Sequence, residues 1–306
     1  LATKRVVNAL YGVLAYDGFG WGDMKMAAAI TASARYAMRS VAFKAQELGY
    51  KVIYGHTDSI FVLVDNPEES QKLCSELNNH IKNNIFNDYV RLEFEKFAKS
   101  FFLSQKKNRY CGYLSWKDGK YLEEDDFFMM GFEAKKSNET QFAKNLQLTV
   151  LEMVAQNKNE TNITTYCKTA YNEMKDGKVD INLIAKRSRL RTPLHKYKVI
   201  SGGVAGVMVY NNEIGTINLG DSYFYYRCNN SKVKKARTFM VKERTRPVDY
   251  IAYKKVDEVI GDYPPDWESL AESEVIKKVT LIYESLGWDL QNISMRGIQS
   301  HIEDWW

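Results

Sequence analysis

The stretch Tyr54-Gly55-His56-Thr57-Asp58-Ser59, set between Lys51-Val52-Ile53 and Ile60-Phe61-Val62-Leu63-Val64, constrains this chain more than any other. Two β-rich runs separated by a short polar segment with Gly and Asp predict a β-hairpin. The tip of a rigid hairpin holds a side chain without the fraying of a long loop, and Asp58 sits near that tip. A carboxylate fixed there and facing other acidic groups would be a place for Mg2+, which takes a few carboxylates, water and substrate phosphates in preference to an all-protein cage. An ordinary hairpin with a polar turn has the same pattern, so the rest of the chain must decide between the two.

With 306 residues, 45% hydrophobic and 13% aromatic, the chain has material for two folded cores and is not a disordered polymer. No run of about 18 uninterrupted apolar residues occurs, and the N-terminus, opening at Leu1 rather than Met, has no signal-peptide shape. These features predict a soluble, intracellular protein, and the missing Met hints at sequence absent upstream. Cys74, Cys111, Cys167 and Cys228 lie far apart without a CxxC pair, which argues against a zinc site or a disulfide framework. The net charge of +5 is modest but unevenly spread. Basic residues crowd into Lys186-Arg187-Ser188-Arg189-Leu190-Arg191, on to Lys196 and Lys198, and again between Lys232 and Arg246, whereas the chain from Asp262 onward is acidic. Any single charge run is ordinarily a solvated face, but two basic clusters interleaved with Tyr and Phe predict a phosphate-tracking surface.

In chain order, residues 1 to 12 have a helical pattern in which Lys4, Asn8 and Tyr11 follow at steps of four and three and share one face. Asp23 then caps a long helix that ends at Gly49, the hairpin follows, and Pro67-Glu68-Glu69 opens another helix bearing Leu73, Leu77, Ile81 and Ile85. The alternation in Leu92-Glu93-Phe94-Glu95-Lys96-Phe97 predicts a strand with Glu93 and Glu95 on one face, and Lys117-Asp118-Gly119-Lys120 a hairpin turn. The texture changes at Met130-Gly131-Phe132-Glu133, and helices are expected over 140 to 157, 163 to 176 and from Pro264-Pro265 to about Leu286. Between these, Val207-Met208-Val209-Tyr210 and Tyr223-Phe224-Tyr225-Tyr226 are expected to form a strand pair, and Gly202-Gly203-Val204 has no strand-to-helix setting for a phosphate loop. Trp305 and Trp306 at the terminus are costly to leave in water. With Gln299 and Ile302 they make either a plug for a hydrophobic pocket on a partner or a tail that folds back.

Taken in order, these pieces resemble a family B DNA polymerase from Lys4 to Trp306. Lys4 to Gly12 is similar to the fingers motif KxxxNSxYG, and Tyr54 to Ser59 to the palm motif YGDTDS. Leu92 to Lys96 followed by Lys107-Asn108-Arg109-Tyr110 resembles the LEFEK strand and the KKRY motif, and Met130 to Glu133 the palm-to-thumb junction. Gln299, Ile302, Trp305 and Trp306 match the peptide with which such polymerases grip a sliding clamp. The resemblance implies an α+β fold, a palm with an antiparallel sheet packed on helices followed by a mainly helical thumb with a small β element. It divides the chain into a fingers-helix end (1 to 16), palm (17 to 136), thumb (137 to 298) and clamp-binding peptide (299 to 306).

The resemblance also implies roles. Lys4 would contact the incoming deoxynucleoside triphosphate (dNTP), Asn8 and Tyr11 would line the nascent base-pair pocket, and Asp58 would be a shared ligand of two Mg2+ ions. Glu95, or less directly Glu93, would be the auxiliary carboxylate. Lys106, Lys107, Arg109 and Tyr110 would hold the primer-template DNA, as would Arg187, Arg189 and Arg191 of the first basic cluster, by contacts that position without reading sequence. Three positions depart from the pattern: Ala9 stands for Ser, Asn108 either replaces the second Lys of KKRY or is inserted after a Lys106–Lys107 pair, and His56 stands for an Asp. The other metal-binding Asp of the family lies in a motif, DxxSLYPS, that does not occur in these residues. The chain is therefore expected to act as the C-terminal subunit or fragment of a DNA-directed DNA polymerase, completed by an N-terminal polymerase half, in the cytoplasm or nucleoid or as a viral protein in its host. A noncatalytic, polymerase-derived DNA-binding and clamp-tethering protein is the competing expectation, with His56 as its best support. A reverse-transcriptase-like palm enzyme is disfavoured by the fingers motif and the clamp peptide.

Overall fold

A computed structural model describes residues 2–86, 89–229, 238–241, 244–247 and 249–294. They fall into two compact units, the first within Leu1–Lys99 and Leu114–Asp126, the second within Ser100–Tyr113 and Phe127–Trp306.

The first unit opens with α1 (Ala2–Leu14) and α2 (Met24–Glu47). Asp23 starts α2 as its sequence predicts, its carboxylate accepting the Lys25 N–H at 2.8 Å and the Met26 N–H at 3.2 Å, donors that the first turn otherwise leaves unpaired. Gly49, at φ 90°, turns the chain into β1 (Lys51–His56), which pairs antiparallel with β2 (Ser59–Leu63). The predicted hairpin is there. Asn66 then caps α3 (Pro67–Ile81), with Pro67 at its first turn and a π-helical turn, Lys82–Phe86, at its end. Val41 and Ala45 of α2 and Leu73, Leu77 and Ile81 of α3 make a core against Val52, Ile60 and Val62 of the hairpin. Burying each of the larger side chains contributes roughly 1.5–3 kcal/mol, which fixes the hairpin against the two helices.

Next come β3 (Lys96–Leu103), β4 (Tyr110–Lys117) and β5 (Lys120–Met130), a sheet of order β3-β4-β5 whose strands each divide between the units. Asp118 (φ 50°) and Gly119 (φ 89°) form the two-residue turn that the sequence predicts, both in the left-handed region such a turn demands. The strand expected over 92 to 97 is corrected: it begins only at Lys96, and Glu93 and Glu95 lie before it. The reason is a clamp. The Asn78 side chain accepts the Leu92 N–H at 2.7 Å and donates to the Leu92 C=O at 3.0 Å, taking both groups a strand neighbour would need.

In the second unit, α4 (Gln141–Ala155) and α5 (Glu160–Lys175) are capped by Thr140 and Asn159. The short α6 (Ile181–Ile184) leads to β6 (Lys186–Arg189), α7 (Gly202–Glu213), β7 (Ser222–Arg227), the pair β8 (Thr238–Val241) and β9 (Arg244–Pro247), and β10 (Tyr250–Tyr253). A last helical run is α8 (Trp267–Ala271), a π-helical stretch Glu272–Ile276, and α9 (Lys277–Leu286), followed by α10 (Gln291–Ser294). Leu146, Val150 and Leu151 of α4, Ile163 and Met174 of α5 and Val279 and Ile282 of α9 share one core.

The strand expected at Val207 to Tyr210 is also corrected. Those residues lie in α7, and Tyr223 to Tyr226 pair instead with β6 and β10 in a sheet of order β10-β7-β6. Val204, Val207 and Tyr210 recur at helical spacing and are buried, so packing overrides the β preference of Val. Gly206 makes the close approach possible, because a Cβ there would lie 2.8 Å from the Ala252 backbone nitrogen. The whole is α+β, with helices packed on small antiparallel sheets as expected. Among the described residues no helix is long and apolar enough to cross a membrane.

Candidate functional site

Asp58 stands in the two-residue connection between β1 and β2, directly after Thr57, whose φ is 50°. His56 and Ser59 close this turn as register partners, and the Ser59 hydroxyl donates to the His56 C=O at 3.1 Å. Asp58 is exposed, as a side chain at so tight a tip must be. The His56 ring lies parallel to Tyr54, 6.5 Å between centroids, and its Nε2 is 3.3 Å from Thr57 Oγ1. Tyr54 in turn leans on Phe61 at 5.5 Å. The hairpin therefore presents one carboxylate at its tip, braced by aromatic contacts behind it.

Glu93 and Glu95 are placed otherwise. With Asp118 they line a cleft of about 460 Å³ floored by Phe94 and Trp116, which stack 4.0 Å apart, and Asp58 is not among the residues of that cleft. Among the described residues no three His, Cys, Asp or Glu come together as a metal site. Positions 4, 8 and 11 lie on α1, with Tyr11 exposed. Lys106 and Lys107 are exposed in the connection from β3 to β4, and Arg109 and Tyr110 are half-buried. Asn108, the departure from KKRY, has φ 62°, a left-handed conformation that Asn adopts more readily than Lys. The Gly131 backbone comes so close to Asn108 that a Cβ at Gly131 would overlap its carbonyl oxygen.

The first basic cluster forms an edge strand. Arg187 and Arg189 of β6 point to the exposed face, Lys186 and Ser188 to the half-buried one, and Arg191 is exposed beyond the strand end. Of the second basic cluster, residues 238–241 and 244–247 are described as β8 and β9, while Lys232 and the residues to 237 lie outside the described residues. So do Gln299, Ile302, Trp305 and Trp306.

A buried ionic cluster in the second unit carried no sequence signal, because its members are far apart in the chain. Lys278 Nζ lies 2.9 Å from Glu133 and 2.7 Å from Glu139, Lys186 Nζ lies 3.5 Å from Glu139, and the Thr140 hydroxyl donates to Glu274 at 2.6 Å. Glu274 is buried within the π-helical stretch. The cluster ties the residues after β5 to β6, and so holds the strand that carries Arg187 and Arg189.

Residues 1–263 match the sequence pattern of DNA polymerase family B. The chain belongs to that family. It is 29% identical over 197 residues to DNA polymerase 2 of Aeropyrum pernix, covering 64% of this chain and 22% of that protein. It is also 23% identical over 294 residues to DNA polymerase 1 of the same organism, covering 93% of this chain and 29% of the other. Among solved structures, the family B DNA polymerase from the hyperthermophilic archaeon Pyrobaculum calidifontis shares its fold, with a TM-score of 0.65 and 23% identity over 94% of this chain and 33% of that one. The chain thus spans between about a fifth and a third of the length of these family B relatives.

Proposed function

We propose that this chain is the C-terminal part of a DNA-directed DNA polymerase, contributing Asp58 to a site for template-directed nucleotidyl transfer that a second carboxylate from outside these residues completes. The observation that carries the reading is the turn itself: within a family B chain, a YGDTDS-like segment holds one exposed carboxylate at the tip of a braced two-residue hairpin turn. In this reading residues 1 to 16 end the fingers, 17 to 136 form the palm, 137 to 298 the thumb and 299 to 306 the clamp peptide. It works in the cytoplasm or nucleoid, or in the host cell if the protein is viral.

The residues present fit a shared Mg2+ site. One or two carboxylates, water and substrate phosphates suffice for Mg2+, and the described residues offer no grouping of three ligands. Asp58 would hold the metal from the hairpin side, with Glu95 as the auxiliary carboxylate. Two bound ions would lower the cost of forming the primer 3′-alkoxide and stabilise the negative charge on the phosphoryl oxygens as pyrophosphate leaves. Lys4 neutralises the triphosphate, Asn8 and Tyr11 shape the pocket for the new base pair, and Lys106, Lys107, Arg109 and Tyr110 grip the duplex backbone. Arg187, Arg189 and Arg191 extend that grip, and the terminal peptide engages a sliding clamp.

His56, standing where the family pattern has Asp, favours one other reading, a noncatalytic DNA-binding and clamp-tethering protein. The two separate in a primer-extension assay. The chain co-expressed with a polypeptide that bears the DxxSLYPS motif is expected to extend a primer with Mg2+, and Asp58→Asn to abolish extension while leaving DNA binding in place. No extension by a properly assembled pair favours the noncatalytic reading.

A further inference from the structure

At the β6 edge of the β10-β7-β6 sheet, Arg187 is the register partner of Phe224, and Arg189 that of Ser222. Register partners in an antiparallel pair point to the same face, so Arg187 stands directly across from Phe224 and Arg189 diagonally across from it, both on the neighbouring strand. Phe224 is 38% exposed although it sits on the central strand. Its ring stacks at 5.8 Å and 26° on Tyr253, which is buried, so the ring has a rigid backing. The opposite face of the sheet is filled: a Cβ on Gly203 of α7 would lie 3.0 Å from the Tyr225 ring. Arg189 is held in place by its Nε donating to the Gly220 C=O at 2.6 Å. The nearby Asp221 carboxylate is engaged by Lys254 at 2.8 Å and by the Asn218 N–H at 3.0 Å.

We propose that this corner of the sheet is a single-stranded DNA subsite, in which one unpaired base stacks on Phe224 while Arg187 and Arg189 take the flanking phosphates. The inference rests on the nucleic-acid reading of the basic strand and adds the form of the ligand. A duplex keeps its bases stacked on each other and offers a flat side chain no free face. A single strand offers both π-faces and phosphates within reach of one residue, the combination that aromatic rings among cations recognise. The rigid backing matters because a ring already held flat loses little freedom on binding.

The test is fluorescence anisotropy of the full chain with a labelled oligothymidylate and with a hairpin duplex, each over a salt series. Phe224→Ala is expected to weaken oligothymidylate binding by about 5- to 100-fold, with duplex affinity and the salt slope unchanged. Arg187→Ala is expected to reduce the salt slope on the single strand by about 0.7, the signature of one lost phosphate contact. Phe224→Leu, which keeps an apolar side chain without a flat ring, repeats the loss where the Ala variant melts early. Phe224 variants that bind the single strand as well as the parent, or that lose equally on the duplex, overturn the subsite and leave the basic strand's DNA reading standing. A parent chain that binds neither probe overturns both.

Discussion

Lys278 donates to Glu139 at 2.7 Å in the second unit, and the same ammonium reaches Glu133 at 2.9 Å. Burial alone would push the Glu133 carboxyl up, but the Lys278 bond and the charge of Lys136 outweigh it and hold it below its ordinary value of 4.5. Burial alone would push Lys278 down, but its bonds to Glu139 and Glu133 hold it above 10.5. Removing the cation leaves both carboxylates in poorly solvated surroundings with weaker partners, Lys136 at 3.5 Å from Glu133 and Lys186 at 3.5 Å from Glu139. Lys278→Met is expected to destabilise the second unit by about 3 kcal/mol, read as the shift in a urea unfolding midpoint.

The same pair fixes a pH dependence. Glu133, lowered in the folded state, contributes stability that is present above 4.5 and lost as pH falls through its folded value. Lys278, raised in the folded state, contributes stability that is present below 10.5 and lost only as pH rises through its folded value. A urea series across both windows is expected to show a slope on each side in the parent, and a diminished slope on each side in Lys278→Met, where the tyrosines that burial raises, Tyr226 and Tyr283 among them, keep part of the alkaline one.

Asn78 is the second test of a contact that governs the site. Asn78→Ala leaves the Leu92 N–H without its side-chain partner and the Leu92 C=O with the weaker Cys74 thiol at 3.5 Å, and is expected to cost about 2 kcal/mol. It also loosens the segment carrying Glu93 and Glu95. Faster amide hydrogen exchange at Leu92, with exchange in α3 unchanged, is the expected signature, and unchanged exchange at Leu92 counts against the clamp.

Asn78 also marks the limit of what the chain discloses about itself. Caps and turns are local, and so Asp23, Asn66, Pro67 and the Asp118–Gly119 turn are readable from their own residue types. The start of β3 is not, because an amide fourteen residues earlier takes the backbone groups of Leu92. The helix α7 is not, because Val207, Val209 and Tyr210 read as strand residues until the sheet that Gly203 and Gly206 approach is in place. Asp58 was legible as a turn carboxylate. The ionic cluster of Glu133, Glu139, Lys186, Glu274 and Lys278, and the pairing of Arg187 with Phe224, arise only from tertiary register.

His56 bears on catalysis through what it does not hold. Its ring contacts are the parallel Tyr54 and a 3.3 Å approach to Thr57 Oγ1, neither of which positions Asp58 through a charge. His56→Asp is therefore expected to keep primer extension by the assembled enzyme, at a stability cost of about 1 kcal/mol for the lost ring contact. Loss of extension comparable to that of Asp58→Asn would give the imidazole a role in the chemistry.

The terminal peptide makes a separate prediction, since Trp305 and Trp306 are far in sequence from Asp58. Replacing both with Ala is expected to weaken binding to the cognate clamp by at least about 30-fold, the loss typical of buried aromatic anchors. Product length should fall while single-nucleotide incorporation stays. Unchanged clamp affinity would return the pair to an ordinary terminal segment.

The last prediction concerns where the completing half packs. The C-terminal half of α2 buries Ala37, Val41 and Ala45, but in its N-terminal half Ala27 alone is buried, and Met24, Met26 and Ile30 are exposed. On α1, Val6 is 61% and Leu10 55% exposed. Apolar side chains exposed on two consecutive helices of one unit are what a contact with the proposed completing half would cover, and the hairpin carrying Asp58 follows those helices directly in the chain. Leu10→Lys and Ile30→Lys are expected to abolish co-elution with a polypeptide bearing the DxxSLYPS motif, and with it primer extension, while the thermal melt of this chain alone is unchanged because neither side chain is buried in it. Co-elution that survives both substitutions would move the contact elsewhere on the chain.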